Sequence, residues 1–135
     1  VAAGDVANHP NGFFARRVRL ESVHNAVEQA KTAAATLVGG SRVYEQYPWF
    51  WSDQYDLKLQ MVGLSQGYDT TIVRGNMAET AFSVFYFQGS TLLAVDSINK
   101  PADHMQARRL LNNRIPLTQA QAADLGCDLK LLGKE

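Results

Sequence analysis

Cysteine is nearly missing from this chain of 135 residues, with Cys127 its only representative. A lone thiol can neither close an intrachain bridge nor complete a paired-cysteine motif, so a disulfide scaffold and a dithiol redox centre are both excluded. Net charge is missing too, because 13 lysines and arginines balance 13 aspartates and glutamates. That balance removes any bulk electrostatic attraction to nucleic acid or to a membrane surface, and a charged partner must be met by a local patch. No apolar run approaches the length needed to span a bilayer and no signal-peptide pattern is present, which makes the cytoplasm the expected compartment. The chain also lacks G-x-G-x-x-G, a P-loop and G-x-S-x-G, so it holds no complete phosphate cradle and no nucleophile elbow. His9, His24 and His104 lie far apart without metal-type spacing. Each reads as a surface or helix-end histidine, and no metal site is expected.

What the chain does have is an ordinary apolar share, 46%, and a length that supports one modest core rather than two full domains. Its opening, Val1-Ala2-Ala3-Gly4-Asp5, reads like the middle of a domain, so a piece of a longer polypeptide is expected. Val1 to Ala3 suits the last turn of a buried strand with Asp5 at its carboxyl end, where ligands gather in open sheets. Asn8-His9-Pro10-Asn11-Gly12 reads as a turn-rich loop, followed by a strand through Val18-Arg19-Leu20. Ser22 then caps a helix in which Val23, Ala26, Val27, Ala30, Ala33, Ala34, Leu37 and Val38 recur at three- and four-residue spacing. The spacing predicts one apolar stripe, with Glu28, Lys31 and Thr32 facing away and a stop at Gly39-Gly40.

Beyond Gly40 the pattern changes to strands. Tyr55, Leu57, Leu59 and Met61 alternate with Asp56, Lys58 and Gln60, the period of a strand with one wet face. Gly63 and Gln66-Gly67-Tyr68-Asp69 supply a turn into a strand over Thr70 to Arg74. Phe82 to Phe87 and Leu92 to Val95, joined through Gln88-Gly89-Ser90, carry apolar residues at both parities and are expected at the centre of the sheet. Pro101 opens a helix holding Met105, Leu110 and Leu111, and Thr118 with Gln121 forms a capping box for a last short helix closed by Gly126. The expected fold class is α+β, an antiparallel sheet of about four to five strands with helices on one side, preceded by a strand–helix piece. Residues 1–40 and 41–135 are the expected units.

Chemistry concentrates in Pro48-Trp49-Phe50-Trp51-Ser52-Asp53-Gln54-Tyr55. In extended chain Trp49 and Trp51 share one side and Phe50 takes the other. Two readings stand: a plug of core aromatics, or a wall beside a planar ligand or redox group. Ser52-Asp53-Gln54 also fits a turn ahead of the next strand. Asp5 either caps a turn or meets a ligand, and Lys31 is either a solvated helix charge or a docking cation.

Ala2-Ala3-Gly4-Asp5-Val6 resembles the second flavin-binding motif of the two-dinucleotide-domain flavoproteins, where a hydrophobic strand ends in Gly-Asp and the acid meets the ribityl chain of FAD. A carboxylate accepts strong hydrogen bonds from ribityl hydroxyls, and glycine lets the chain approach closely. Three longer stretches follow it in order: Arg19-Leu20-Glu21-Ser22-Val23-His24-Asn25-Ala26-Val27-Glu28-Gln29-Ala30, the Pro48 to Gln54 segment, and Met61-Val62-Gly63-Leu64-Ser65-Gln66-Gly67-Tyr68-Asp69. Together they are similar to the C-terminal third of the oxygenase-coupled FAD-dependent NADH:ferredoxin reductases, the putidaredoxin, rhodocoxin and biphenyl dioxygenase reductase family. Phe82-Ser83-Val84-Phe85-Tyr86, Leu93-Ala94-Val95-Asp96 and Ile98-Asn99-Lys100-Pro101 continue the likeness. The final twenty or so residues are the least distinctive.

The resemblance implies a flavoprotein that takes a hydride from NADH onto FAD. Electrons then pass singly to a two-iron, two-sulfur ferredoxin serving a cytochrome P450 or a ring-hydroxylating oxygenase. By matching motif, Gly4, Asp5, Val23 and Trp51 are the implied flavin-site residues, and Lys31 and Trp51 the implied docking residues. Lys31 stands where some relatives have arginine, which keeps the charge and loses the bidentate fork. On this view residues 1–40 are a remnant of the FAD-binding domain and 41–135 the reductase C-terminal domain, with NADH bound by a domain outside the chain. The isolated chain is then expected to be inactive, to lose FAD and to form a homodimer or swapped dimer. The alternative is a non-catalytic dimerisation or docking module of a related flavoprotein. The lack of a His-Pro-Thr and Glu motif near the end sets the chain apart from the disulfide-reductase branch.

Overall fold

The computed structural model describes residues 1–134, and the chain falls into two compact units, Val1–Phe50 and the portion from Trp51 onward. In the first unit β1 (Asn8–Asn11) and β2 (Arg16–Arg19) pair antiparallel, from Asn8 opposite Arg19 to Asn11 opposite Arg16. Helix α1 (Val23–Leu37) follows, its first turn capped by the Ser22 hydroxyl, which accepts from the Asn25 N–H at 3.1 Å.

Three expectations change here. Val1–Ala3 forms no strand, because Gly4, at φ +82°, turns the chain and its carbonyl accepts from the Ala7 N–H at 2.9 Å. Asn8–Asn11, expected in a loop, is a strand, and only Gly12 of that stretch lies in a turn. That turn falls just beyond the strand, where the Asn11 side chain accepts from the Phe13 N–H at 2.9 Å and Ala15 takes φ +49°. Helix α1 also buries a different face. Val23 is 60% and Leu37 74% exposed, whereas Asn25 and Gln29 are buried. Periodicity identifies the helix, but hydrogen bonding selects the face: Asn25 Nδ2 donates to the Leu20 carbonyl and Asn25 Oδ1 accepts from the Tyr44 hydroxyl, both at 2.9 Å.

The second architecture is a five-stranded sheet. Its strands are β3 (Trp49–Gln54), β4 (Leu57–Gly63), β5 (Thr70–Asn76), β6 (Ala81–Gln88) and β7 (Thr91–Ile98), in the spatial order β3-β4-β7-β6-β5. The pairs β4–β7, β7–β6 and β6–β5 are antiparallel, and the two strands with apolar residues at both parities sit inside as expected. Ser52-Asp53-Gln54 belong to β3. The turn falls at Tyr55, at φ +54°, so the strand expected from Tyr55 begins at Leu57.

Register aligns Arg74, Ser83 and Ser97 across three strands, and beside them Ile72, Phe85, Val95 and Val62. This face meets α2 (Pro101–Asn112) and α3 (Gln119–Ala123). The Ser83 hydroxyl lies 3.1 Å from an Asp103 oxygen and 2.9 Å from the Ser97 hydroxyl. A carboxylate only accepts, so Ser83 donates to Asp103 and accepts from Ser97. Arg74 donates to the carbonyls of Ala122, Asp124 and Cys127. Both helices therefore lie on one side of an α+β sheet, over a core of Val62, Phe85, Phe87, Val95, Ala107 and Leu110. The Thr118–Gln121 capping box forms, and α3 ends at Ala123, ahead of Gly126.

On α2 the buried stripe is His104, Ala107, Leu110 and Leu111, and Met105 is exposed. His104 is thus a core residue at 2% exposure and not a surface histidine. Among the described residues no helix is long and apolar enough to cross a membrane, and no group of three or more histidines, cysteines or acids could hold a metal ion.

Candidate functional site

Gly4 and Asp5 sit on a turn that the rest of the first unit fastens from three directions. Ala7 closes it from within, the Gly4 N–H donates to Gln29 Oε1 at 2.7 Å, and Arg19 Nη1 donates to the Asp5 carbonyl at 3.0 Å. Gly4 is buried, and a Cβ there would stand in ordinary van der Waals contact, at 3.6 Å, with the Cβ of Ala26, about one turn ahead of Gln29 on α1. The Asp5 side chain is exposed. The turn thus presents an acid on a fixed backbone at one face of a helix.

The amino end of that helix carries no acid in its first turn, so its positive dipole end is not neutralised by its own side chains. Val23 occupies the first helical position and is exposed. The His24 ring lies 5.5 Å from that of Trp49, which brings the start of the aromatic segment to the first turn of α1. Lys31 stands two turns further along. Its ammonium pairs with Glu28, and the second oxygen of Glu28 meets Arg42 Nη2 at 2.8 Å. The Lys31 hydrogen bond holds the Glu28 carboxyl below its ordinary range, with the Arg42 and His24 charges adding. Two cations share one carboxylate, leaving the cluster net positive. Burial, with the Glu28 charge adding, pushes the Tyr44 hydroxyl up to about 12.

Gly4, Asp5, Val23 and Lys31 therefore belong to the first unit, where Gly4 and α1 are joined directly. Trp51 belongs to the second, on edge strand β3, and is 45% exposed, so it is no core plug. Spacing singles out neither Gln29 nor Asn25 nor Arg42. A polar residue on the buried face of a capped helix is the only trace that the first two leave in the sequence, and Arg42 leaves none.

A sheet covered by helices on one face and ending in an aromatic edge strand defines a class of α+β modules. This chain belongs to the Reductase C-terminal family, whose model matches residues 49–133. It is 55% identical over 130 residues to rhodocoxin reductase of Rhodococcus erythropolis, covering 96% of this chain and 30% of the relative. It is similar in structure to a ferredoxin reductase from Rhodopseudomonas palustris, with a TM-score of 0.90 and 45% identity, covering 95% of this chain and 32% of the other. The reductase in a covalent putidaredoxin reductase–putidaredoxin complex gives 0.89 and 46%, covering 96% and 31%. The chain spans about a third of the length of the relatives it matches.

Proposed function

We propose that this chain is the flavin-contacting and electron-exit portion of an NADH:ferredoxin reductase. The observation that carries the reading is the Gly4–Asp5 turn, clamped onto α1 by Gln29 and lying against Ala26, about one turn from the acid-free amino end of that helix. Those residues fit FAD: an exposed carboxylate suits ribityl hydroxyls, a buried glycine leaves room for the chain, and the positive dipole end of α1, with no acid in its first turn, favours an electron-rich ring edge. FAD, when bound, supplies conversion of a two-electron hydride into single electrons. In this reading Asp5 holds the ribityl chain and Val23 begins the turn that faces the ring. Trp51 is assigned to electron exit toward the partner. Residues 1–40 are assigned to the FAD-binding domain and 41–135 to the C-terminal domain, and NADH binding is assigned to the part of the longer relatives that this chain does not span.

The proposed partner is an acidic two-iron, two-sulfur ferredoxin, in keeping with the putidaredoxin partner of the related reductase. Lys31 and Trp51 are its docking residues, with Lys31 partly exposed and inside a net positive cluster. The single cysteine fits a reducing compartment, so the proposed location is the cytoplasm. The exposed apolar side of α1 favours a second reading, a homodimer or swapped dimer of this chain, which light scattering checks directly.

The test uses the full-length flavoprotein. Trp51→Ala is expected to leave NADH-driven dye reduction intact and to slow ferredoxin reduction about tenfold, and Lys31→Glu to weaken ferredoxin binding and flatten its salt dependence. Normal electron delivery to ferredoxin by Trp51→Ala overturns the exit role.

A further inference from the structure

We propose that Gln29 is the positioning residue of the Gly4–Asp5 turn, clamping it to α1 and, through the same side-chain amide, fixing the tautomer of His9. Its functional consequence rests on the flavin reading above, but its geometry does not. A backbone N–H only donates, so the Gln29 atom 2.7 Å from the Gly4 nitrogen is the carbonyl oxygen. The remaining amide nitrogen only donates, and it lies 2.7 Å from His9 Nδ1. Nδ1 therefore accepts, and the ring proton sits on Nε2. One side chain on α1 thus reads a donor on the turn and an acceptor on β1, and only one arrangement of amide and imidazole satisfies both.

The surroundings favour a neutral ring, and its Nε2 is buried with no hydrogen-bond partner. Burial, the largest cause, and the nearby Arg17 charge lower the His9 pKa, opposed by the Ala7 backbone acting as a hydrogen-bond acceptor. The Tyr44 ring packs edge-on against His9 at 4.8 Å, and its hydroxyl donates to Asn25, one helical turn before Gln29. Asn25 in turn donates to the Leu20 carbonyl beyond β2. Two amides on one face of α1 therefore hold the acid-bearing turn and the β1–β2 hairpin together. Asp5 has no freedom to drift from the helix while Gln29 is in place.

Nitrogen-15 NMR of the chain at neutral pH tests the geometry without a variant: His9 is expected as the Nε2-protonated tautomer, and an Nδ1-protonated ring overturns the proposal. Gln29→Leu is expected to speed Gly4 amide exchange at least about tenfold. Gln29→Glu keeps the acceptor for Gly4 and sets a carboxylate against Nδ1. It is expected to keep Gly4 protected and to move a proton onto Nδ1. Unchanged Gly4 exchange in Gln29→Leu overturns the clamp. In the full-length flavoprotein, Gln29→Leu is expected to raise the FAD dissociation constant about tenfold and Gln29→Glu to raise it less. If Asp5→Asn weakens FAD binding and Gln29→Leu does not, the positioning role is overturned. If Asp5→Asn leaves FAD binding unchanged while the NMR results hold, the clamp stands and the flavin reading fails.

Discussion

His104 dominates the acid response of this chain at the level of single residues. It is 2% exposed on the inner face of α2, where burial pushes its pKa down to about 4, with the Arg108 cation adding. Its unfolded value is near 6.5, so the sign is fixed: between those values the unfolded chain binds a proton that the folded chain refuses. The neutral imidazole costs no stability above pH 6.5, and stability falls as pH drops toward 4, by about 3 kcal/mol in all. Urea unfolding at pH 7 and pH 5 is expected to show this loss, and His104→Leu to flatten it; an unaltered pH slope in the variant refutes the assignment. Glycine at position 63 is equally constrained, at φ +82° with a Cβ position 2.2 Å from the Leu93 carbonyl oxygen. Gly63→Ala is expected to cost about 3 kcal/mol in the same assay. Neither constraint was legible in the sequence. Lys100-Pro101-Ala102-Asp103 gives His104 a polar approach, Met105 competes for the buried stripe, and a glycine near a turn looks the same whether or not a neighbouring strand crowds it.

Among the elements, those set by local chemistry were legible and those set by partners were not. Ser22, Pro101 and the Thr118–Gln121 box mark helix starts that the structure reproduces, because capping depends on residues three positions away. The mixed-parity runs of β6 and β7 foretold interior strands for a similar reason. By contrast, β1 hides behind Asn8, Pro10 and Asn11, which look like turn residues until β2 pairs with them. The face that α1 buries is decided by the backbone groups that Asn25 and Gln29 must satisfy. Arg74 shows the same dependence on distant chain. It sits on β5, is buried, and forks to the carbonyls of Ala122, Asp124 and Cys127, with Asp103 Oδ1 at 3.9 Å from its Nε. Arg109 does likewise for Leu129 and Leu132, at 2.7 and 2.9 Å. These two guanidinium groups fasten a C-terminal stretch that has little regular structure of its own. Lysine keeps the charge but lacks the fork. Arg74→Lys is therefore expected to cost about 2 kcal/mol and to raise amide exchange from Asp124 to Cys127 while leaving β6 and β7 protected. Exchange confined to β5 would show that Arg74 supports the sheet and not the tail.

For the whole molecule, the α+β class and the reductase family were legible because ordered motifs span most of the chain, from Gly4-Asp5 through Trp49-Phe50-Trp51 to Ile98-Asn99-Lys100-Pro101. What the chain can do alone follows from which parts of a dinucleotide site it contains. A pyrophosphate is held by a glycine-rich turn whose N–H groups open onto a helix, and no G-x-G-x-x-G occurs among these 135 residues. The Gly4 N–H, the glycine amide nearest the proposed ribityl acid, is already taken by Gln29. That leaves the Asp5 carboxylate and the first turn of α1, two contacts toward a ligand whose charged diphosphate has no seat here. Desolvating that diphosphate without donors would oppose binding more than those two contacts favour it. Equimolar FAD mixed with the chain is therefore expected to separate from it on gel filtration, with no absorbance at the flavin wavelengths in the protein peak. The same mixture made with the full-length flavoprotein is expected to stay yellow. Coelution of FAD with the isolated chain, abolished by Asp5→Asn, would mean that these residues form a sufficient flavin site and that the pyrophosphate is not what anchors the cofactor.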